Sequence, residues 1–534
     1  MDTATGWTGE TACALQAALR MSNQTFARHL RLSLRTVAGW HEKPEGHPQP
    51  QSQQRLDEAL ARADSAVRER FAVLCGDPAQ STGAAAESVA PAEDATRVAA
   101  EHRLAADPNI GQALTRLDDL AGWEPGTARS HVAARLTQLD RRHLLDRADR
   151  RSRIGQPAIA GALDDYYRSS MAGGFGRYGA RFPGGPVTTS VLTHPDWLDL
   201  ECSLTSGYDL LTFTRADRDR AAALDTTAAE AAAQRLAETL TAGTRFTEST
   251  LYRLTSIDIA PGKLGGTFGL SRFTSYALTL DLLEGELDDA LTAGVSPVPG
   301  SLPLRDRYLP DVASVLDVSG RLCAGGALAL CAFARPATFS RDRADYVLLV
   351  QERSGNVINA ARRLAVIPKG FHQPMTDYRS DARIAATLLR EMEEELFGRE
   401  EIDNTLNAQS AADPMHPSRL SGPMRWLLTE NPGALRVECT GFGLNLVSGN
   451  FEFACLLVVE SDEFWSRYGG HVEANWESSA LRQYSSLDSD SLAELVTEDT
   501  WSNEGLFALT QGLRRLKQIG GDRVRVPDIE WTVS

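Results

Sequence analysis

The stretch from Ser22 to Trp40 reads SNQTFARHLRLSLRTVAGW. It holds two short helical patterns separated by a tight break. Ser22 is placed to cap a helix from Asn23 to Leu30, and Ser33 to cap another from Leu34 to about Lys43. Phe26, Ala27 and Leu30 share the inner face of the first, Val37 and Trp40 that of the second. The small side chain of Ala27 suits a close helix crossing. Upstream, Thr8 or Thr11 can cap a helix running to about Arg20, with Leu15, Ala18 and Leu19 on its apolar face. Downstream, Leu56, Leu60 and Ala63 keep helical spacing in a segment from Gln51 to about Cys75. The net charge is −16, and such a chain should repel nucleic acid. Locally the balance reverses. No acid lies between Glu10 and Glu42, while Arg20, Arg28, Arg31 and Arg35 fall in that window. The same pattern also serves a small helical bundle made for protein contacts.

The motif resembles the phage-repressor-like (XRE) helix-turn-helix family over roughly the first 75 residues. The resemblance implies that the third helix enters the major groove of double-stranded DNA. Ser33, Leu34, Arg35, Thr36 and Gly39 would then lie along the groove side, with Arg35 set to read guanine in a bidentate fashion. Gln24 matches a position that contacts phosphate or base. Operators of such proteins are commonly palindromic, which implies a homodimer. Arg31 stands where the turn often carries glycine, and HEKPEGHPQP replaces the usual acid and glycine after Trp40.

At 534 residues the chain has room for several domains, and 42% hydrophobic with 24% charged residues is ordinary for a globular protein. No apolar run reaches about 18 residues, and MDTATGWTGETACAL lacks a basic start followed by an apolar stretch. No membrane span and a cytoplasmic location are expected. The seven cysteines are odd in number and scattered, with no CxxC pair, which argues against a disulfide framework or structural zinc. The expected division is a helix-turn-helix domain at 1–77 and a flexible Ala/Ser/Pro/Glu-rich linker at 78–95. A helical then mixed α/β middle at 96–305 and a last domain at 306–534 follow. In the middle, helical patterns cover 96–106, 110–121 and 131–150. The Arg/Asp alternation of HVAARLTQLDRRHLLDRADRRSR reads as a solvated, self-paired face. Gly174, Gly176 and Gly179 spell GxGxxG after a helix and before a strand, the wrong context for a dinucleotide loop, so they read as a flexible connection. No Ser-His-Asp or HExxH constellation is present.

Beyond residue 306 the apolar runs ALALCAFA (327–334) and YVLLV (346–350) read as strands. A helix is expected from Asp381 to Phe397, capped by Ser380, with Ile384, Ala385, Leu388, Met392 and Leu396 as its core face. Strand-rich segments at 435–447 and 451–460 flank a turn at Ser448-Gly449-Asn450. An amphipathic helix runs from Trp501 to Leu516. The 381–397 helix contains Arg390-Glu391-Met392-Glu393-Glu394-Glu395. Glu391, Glu394 and Glu395 stand at i, i+3 and i+4, a spacing able to gather carboxylates for Mg²⁺, with Arg390 placed to orient Glu394. The plain alternative is a solvated acidic helix.

The order strand, LAVIPKGF, loop and REMEEE helix is similar to the Nudix fold over roughly residues 310–520. The resemblance implies an α/β/α sandwich with a mixed sheet. It makes Glu391, Glu394 and Glu395 the acids of a metal site and Arg390 their structural partner. It also implies a nucleoside-diphosphate-type ligand. The box is degenerate: Ala382 stands at the position of a required Glu, Thr376 and Phe397 at those of two glycines. That favours sensing of a nucleotide-like or phosphorylated metabolite over Mg-dependent hydrolysis, the alternative. The chain thus reads as a multidomain α and α/β transcription regulator.

Overall fold

The computed structural model describes residues 7–19, 21, 23–30, 32–62, 67, 71, 98, 100–105, 109–171, 173–205, 207–215, 223–243, 246, 248–339, 341–353, 362–397, 415–472 and 478–534. The chain divides into two compact units, Met1–Pro91 and Ala92–Ser534. Among the described residues no helix is long and apolar enough to cross a membrane. The expected linker at 78–95, Ser22, Arg31 and Cys75 lie outside the described residues.

Among its described residues the first unit holds helices alone: α1 (Gly9–Leu19), α2 (Asn23–His29), α3 (Leu34–Glu42) and α4 (Pro50–Arg62). Thr8 and Thr11 close the start of α1 reciprocally. The Thr11 amide donates to Thr8 Oγ1 at 3.2 Å and the Thr8 amide to Thr11 Oγ1 at 2.9 Å. Leu15, Ala18, Phe26, Ala27, Leu30, Val37, Trp40 and Leu56 are buried, as the periodicity requires. Gly9 sits where a Cβ would lie 2.5 Å from the Lys43 carbonyl oxygen, so the HEKPEG segment packs directly on the start of α1. The Gly9 amide donates to the Gly46 carbonyl at 2.7 Å and that of Glu10 to Pro44 at 2.8 Å.

The second unit mixes helices and strands. Residues 98 and 100–105 are helical, and then come α5 (Ile110–Ala121), α6 (Thr127–Leu136), α7 (Arg141–Ser152) and α8 (Gln156–Tyr167). The single helix expected over 131–150 is therefore broken, because Asp140 starts α7 afresh by accepting from the Arg142 amide at 2.8 Å. Then come β1 (Gly176–Phe182), β2 (Gly185–Thr193), β3 (Leu198–Ser203), β4 (Asp209–Phe213), α9 (Thr226–Ala242), β5 (Thr250–Ala260), β6 (Lys263–Arg272), α10 (Phe273–Ala277) and α11 (Leu282–Thr292). After two short helices follow β7 (Gly325–Arg335), β8 (Asp345–Arg353), β9 (Leu364–Val366), β10 (Lys369–Phe371), α12 (Ile384–Leu396), β11 (Leu435–Asn445), β12 (Phe451–Val459), α13 (Asp462–Tyr468), β13 (Ser478–Ser485), α14 (Ser489–Thr497), α15 (Asn503–Ile519) and β14 (Glu530–Val533).

One sheet runs β13-β8-β7-β12-β11-β2-β1-β14, with β3, β9 and β10 attached at its sides; β4, β6 and β5 form a second, three-stranded sheet. The large sheet is mixed, since β12 runs parallel to β7 while its other pairings are antiparallel. Both faces are buried. On β7, Ala327, Ala329, Cys331 and Phe333 belong to one core, and Leu328, Leu330, Ala332 and Ala334 to the other. Leu506, Phe507, Leu513 and Leu516 of α15 fill the second core. α15 approaches closely because a Cβ at Gly512 would lie 2.8 Å from Leu330 Cβ. On the first face, Ile384, Leu388, Met392 and Leu396 of α12 and Phe464 of α13 pack with Leu114, Val132 and Leu236 of α5, α6 and α9 in one continuous core.

This corrects the division at 305/306. β1, β2 and β3 complete the large sheet, and the last strand β14 pairs with β1, so 92–534 is one unit. It also corrects the reading of the GxGxxG stretch. Gly176 and Gly179 lie inside β1, where a Cβ on Gly179 would meet Thr532 Oγ1 at 2.7 Å. Glycine serves strand packing there. Predicted from this continuity, a fragment spanning 92–534 melts in one cooperative transition by circular dichroism. A fragment spanning 306–534, deprived of three strands and half a core, gives none.

Candidate functional site

In the first unit the start of α3 is built as a cap. Ser33 Oγ accepts from the Thr36 amide at 3.1 Å and lies 2.7 Å from Thr36 Oγ1. Ser33 is exposed and Thr36 and Gly39, one turn apart, are half-buried; a Cβ at Gly39 would meet nothing within 4 Å. Val37 and Trp40 face the core, so the Thr36–Gly39 side points away from it. Gln24, Leu34 and Arg35 have their backbones in α2 and α3, and their side chains lie outside the described residues. Gln16 ties three helices. Its amide donates to Asn23 Oδ1 at 2.7 Å and to the Met21 carbonyl at 3.0 Å, while its Oε1 lies 3.0 Å from His41 Nε2. Burial pushes the His41 imidazole below its ordinary pKa. The sequence reading missed this tie, although a glutamine on an otherwise apolar helix face is its signal.

In the second unit α12 starts at Ile384, three residues later than expected, and Ser380 does not cap it. The cap comes from β4: Asp209 Oδ2 accepts from the Ile384 amide at 2.8 Å. Burial pushes the Asp209 carboxyl up to about 6. His372 fixes the loop before α12. It is fully buried, with Nδ1 2.8 Å from Thr387 Oγ1 and Nε2 3.2 Å from the Ala382 carbonyl, and it packs on Tyr252 and Phe268. Burial pushes it down to about 3, so it is a neutral spacer.

The carboxylates of α12 are buried among protein partners. Arg390 pairs with Glu391, its own neighbour, at 2.5 Å, rather than with Glu394. The Glu391 carboxyl lies over Gly370, where a Cβ would stand 2.2 Å from its Cδ. Glu395 accepts from the Lys369 amide at 2.7 Å. Glu393 takes both the amide and the hydroxyl of Ser421, each at 2.6 Å. Glu394 is buried as well. Among the described residues no three His, Cys, Asp or Glu side chains are arranged to hold a metal ion. Of the three acids expected from spacing to gather Mg²⁺, Glu391 is held by Arg390 and Glu395 accepts from the β10 backbone. The solvated acidic helix is not found.

A second polar group lies across β10. Lys369 Nζ bonds Glu504 Oε1 at 2.6 Å, and Asn445 Nδ2 donates to Glu504 Oε2 at 3.0 Å. Burial works against ionisation of Glu504, but the Lys369 ammonium outweighs it and holds the carboxyl below its usual range. Glu452 on β12 goes the other way. Burial, then the Glu504 charge, push it up to about 8. Half-buried Glu284 and buried Asp288 on α11 are raised by burial to about 7 and about 6. Sequence reasoning missed this group. Its signal was Glu452 inside the apolar run FEFACLLVV and Glu504 in the first turn after Ser502.

No family model matches the chain, and no curated protein matches it.

Two outcomes follow from the geometry. Glu395→Ala is expected to lower stability by ~1–3 kcal/mol, the range for a buried acceptor lost, whereas Mg²⁺ leaves Tm of the unsubstituted chain unchanged; thermal melts check both. Glu452 favours its neutral form in the fold. Its stabilisation is complete below the ordinary glutamate range and is lost as pH rises toward about 8. Denaturant titrations from pH 5 to 8 should show stability falling for the native chain, and falling less for Glu452→Gln, by on the order of a few kcal/mol.

Proposed function

We propose that this chain is a sequence-specific DNA-binding transcription regulator. Its second unit senses a nucleotide-like or phosphorylated metabolite, and it binds its operator as a homodimer. One observation carries the reading. Ser33 caps α3 and Val37 and Trp40 lock it into the core, so that the side bearing Thr36 and Gly39 stays half-exposed within an acid-free stretch. A helix so held is rigid enough to present side chains to base edges. In the hydrolase alternative, Glu391 and Glu395 of α12 would have to serve a metal ion beside their contacts with Arg390 and the Lys369 amide. Sensing requires that the metabolite bind two conformations unequally, so its signature is a shifted DNA-binding curve.

Fluorescence anisotropy on the DNA upstream of its own gene is expected to show tighter binding than on random duplex. Arg35→Ala should weaken that binding about tenfold or more and erase the preference. ADP-ribose, as a first metabolite probe, should displace the curve. Equal binding to both duplexes, indifferent to Arg35, would overturn the reading.

A further inference from the structure

Helix α7 (Arg141–Ser152) buries none of its residues. Its inner arginines are satisfied: Arg151 pairs with Asp289 at 2.6 Å, and Arg147 pairs with Glu238. The neighbouring α6 behaves alike, with Arg129 on Glu101 and Arg135 on Glu230. The outer side of α7 differs. Arg141, Arg142 and Arg150 are exposed, and among the described residues none has an ion-pair partner. Of the acids on that side, Asp149 is taken by Arg153 at 2.6 Å and approached by Arg362 at 3.5 Å, which leaves Asp146. Leu145, 52% exposed, lies among the arginines. The self-paired face read from the sequence is therefore paired only in part. What remains is a cationic ridge about 14 Å long on a chain of net charge −16.

We propose that this ridge is a second DNA-contacting surface, which grips the phosphate backbone of the duplex without reading bases. Charge complementarity selects the partner. Unpaired guanidinium groups on exposed helix turns match a polyanion and release its counterions. The choice of duplex DNA rests on the DNA-binding reading of the first unit; the unpaired arginines do not.

The test is the salt dependence of duplex binding by the full chain. Four proteins are compared: the native chain, Arg35→Ala, a ridge variant (Arg141→Gln, Arg142→Gln, Arg150→Gln), and a control with the same charge change at exposed Arg181, Arg379 and Arg525. Each phosphate contact contributes about 0.9 to the slope of log affinity against log salt. The ridge variant should lose about 2 to 3 from that slope, weaken on specific and random duplex alike, and keep its preference between them. The control should match the native chain, and both variants should melt as it does. A native slope in the ridge variant, or an equal loss in the control, overturns the proposal. An altered ridge slope with no effect of Arg35→Ala overturns only the base-reading assignment. Absence of native binding to any duplex at low salt overturns both.

Discussion

A strand buried on both faces governs the second unit. β7 alternates Ala327, Ala329, Cys331 and Phe333 toward one core with Leu328, Leu330, Ala332 and Ala334 toward the other, and most of these are fully buried. Such a strand needs helices on both sides and paired neighbours on both edges. α15 supplies one side, through the close approach at Gly512. On the other side α12 and α13 pack on the sheet, and their core continues into α5, α6 and α9. The neighbours come from far apart in the chain: β12 and β8 beside β7, and β2, β1 and β14 beyond β11. The region between residues 96 and 305 is thereby built into the sheet and its core.

The same demand explains the fate of the acids on α12. A helix packed tightly on a buried sheet has little solvated surface, so its carboxylates need partners. β10 is thin enough to be reached from both faces. Gly370 leaves room for Glu391, the Lys369 amide meets Glu395, and the Lys369 ammonium passes to Glu504 on the opposite side. Two residues of β10 therefore connect two groups of buried carboxylates. Asp209 holds the start of α12 and neutral His372 holds the preceding loop, so the N-terminal end of the helix is fixed by residues outside it.

Where structure is local, the sequence was a good guide. The caps at Thr8, Thr11 and Ser33, the inward set Phe26, Ala27, Leu30, Val37 and Trp40, and the turn at Ser448-Gly449-Asn450 follow from short-range rules of capping and periodicity. The core face of α12 does too, and so does the start of α15 within two residues. Contacts made across hundreds of residues leave no such trace. Asp209 and Ile384 are 175 residues apart, so no local signal could choose Asp209 over Ser380 as the cap. The glycines of β1 look like a loop because nothing nearby shows that Thr532 will stand against Gly179. Helical spacing placed Glu391, Glu394 and Glu395 on one face correctly. It carried no information on whether that face meets water, a metal or Lys369.

The central claim is that the first unit reads a defined DNA sequence. The most direct measurement is selection of binding sites from a pool of random duplexes by the purified full chain, followed by sequencing. The account predicts a two-fold symmetric motif whose half-sites lie about one helical turn, roughly 10 base pairs, apart. A pool that emerges as random as it entered would contradict it.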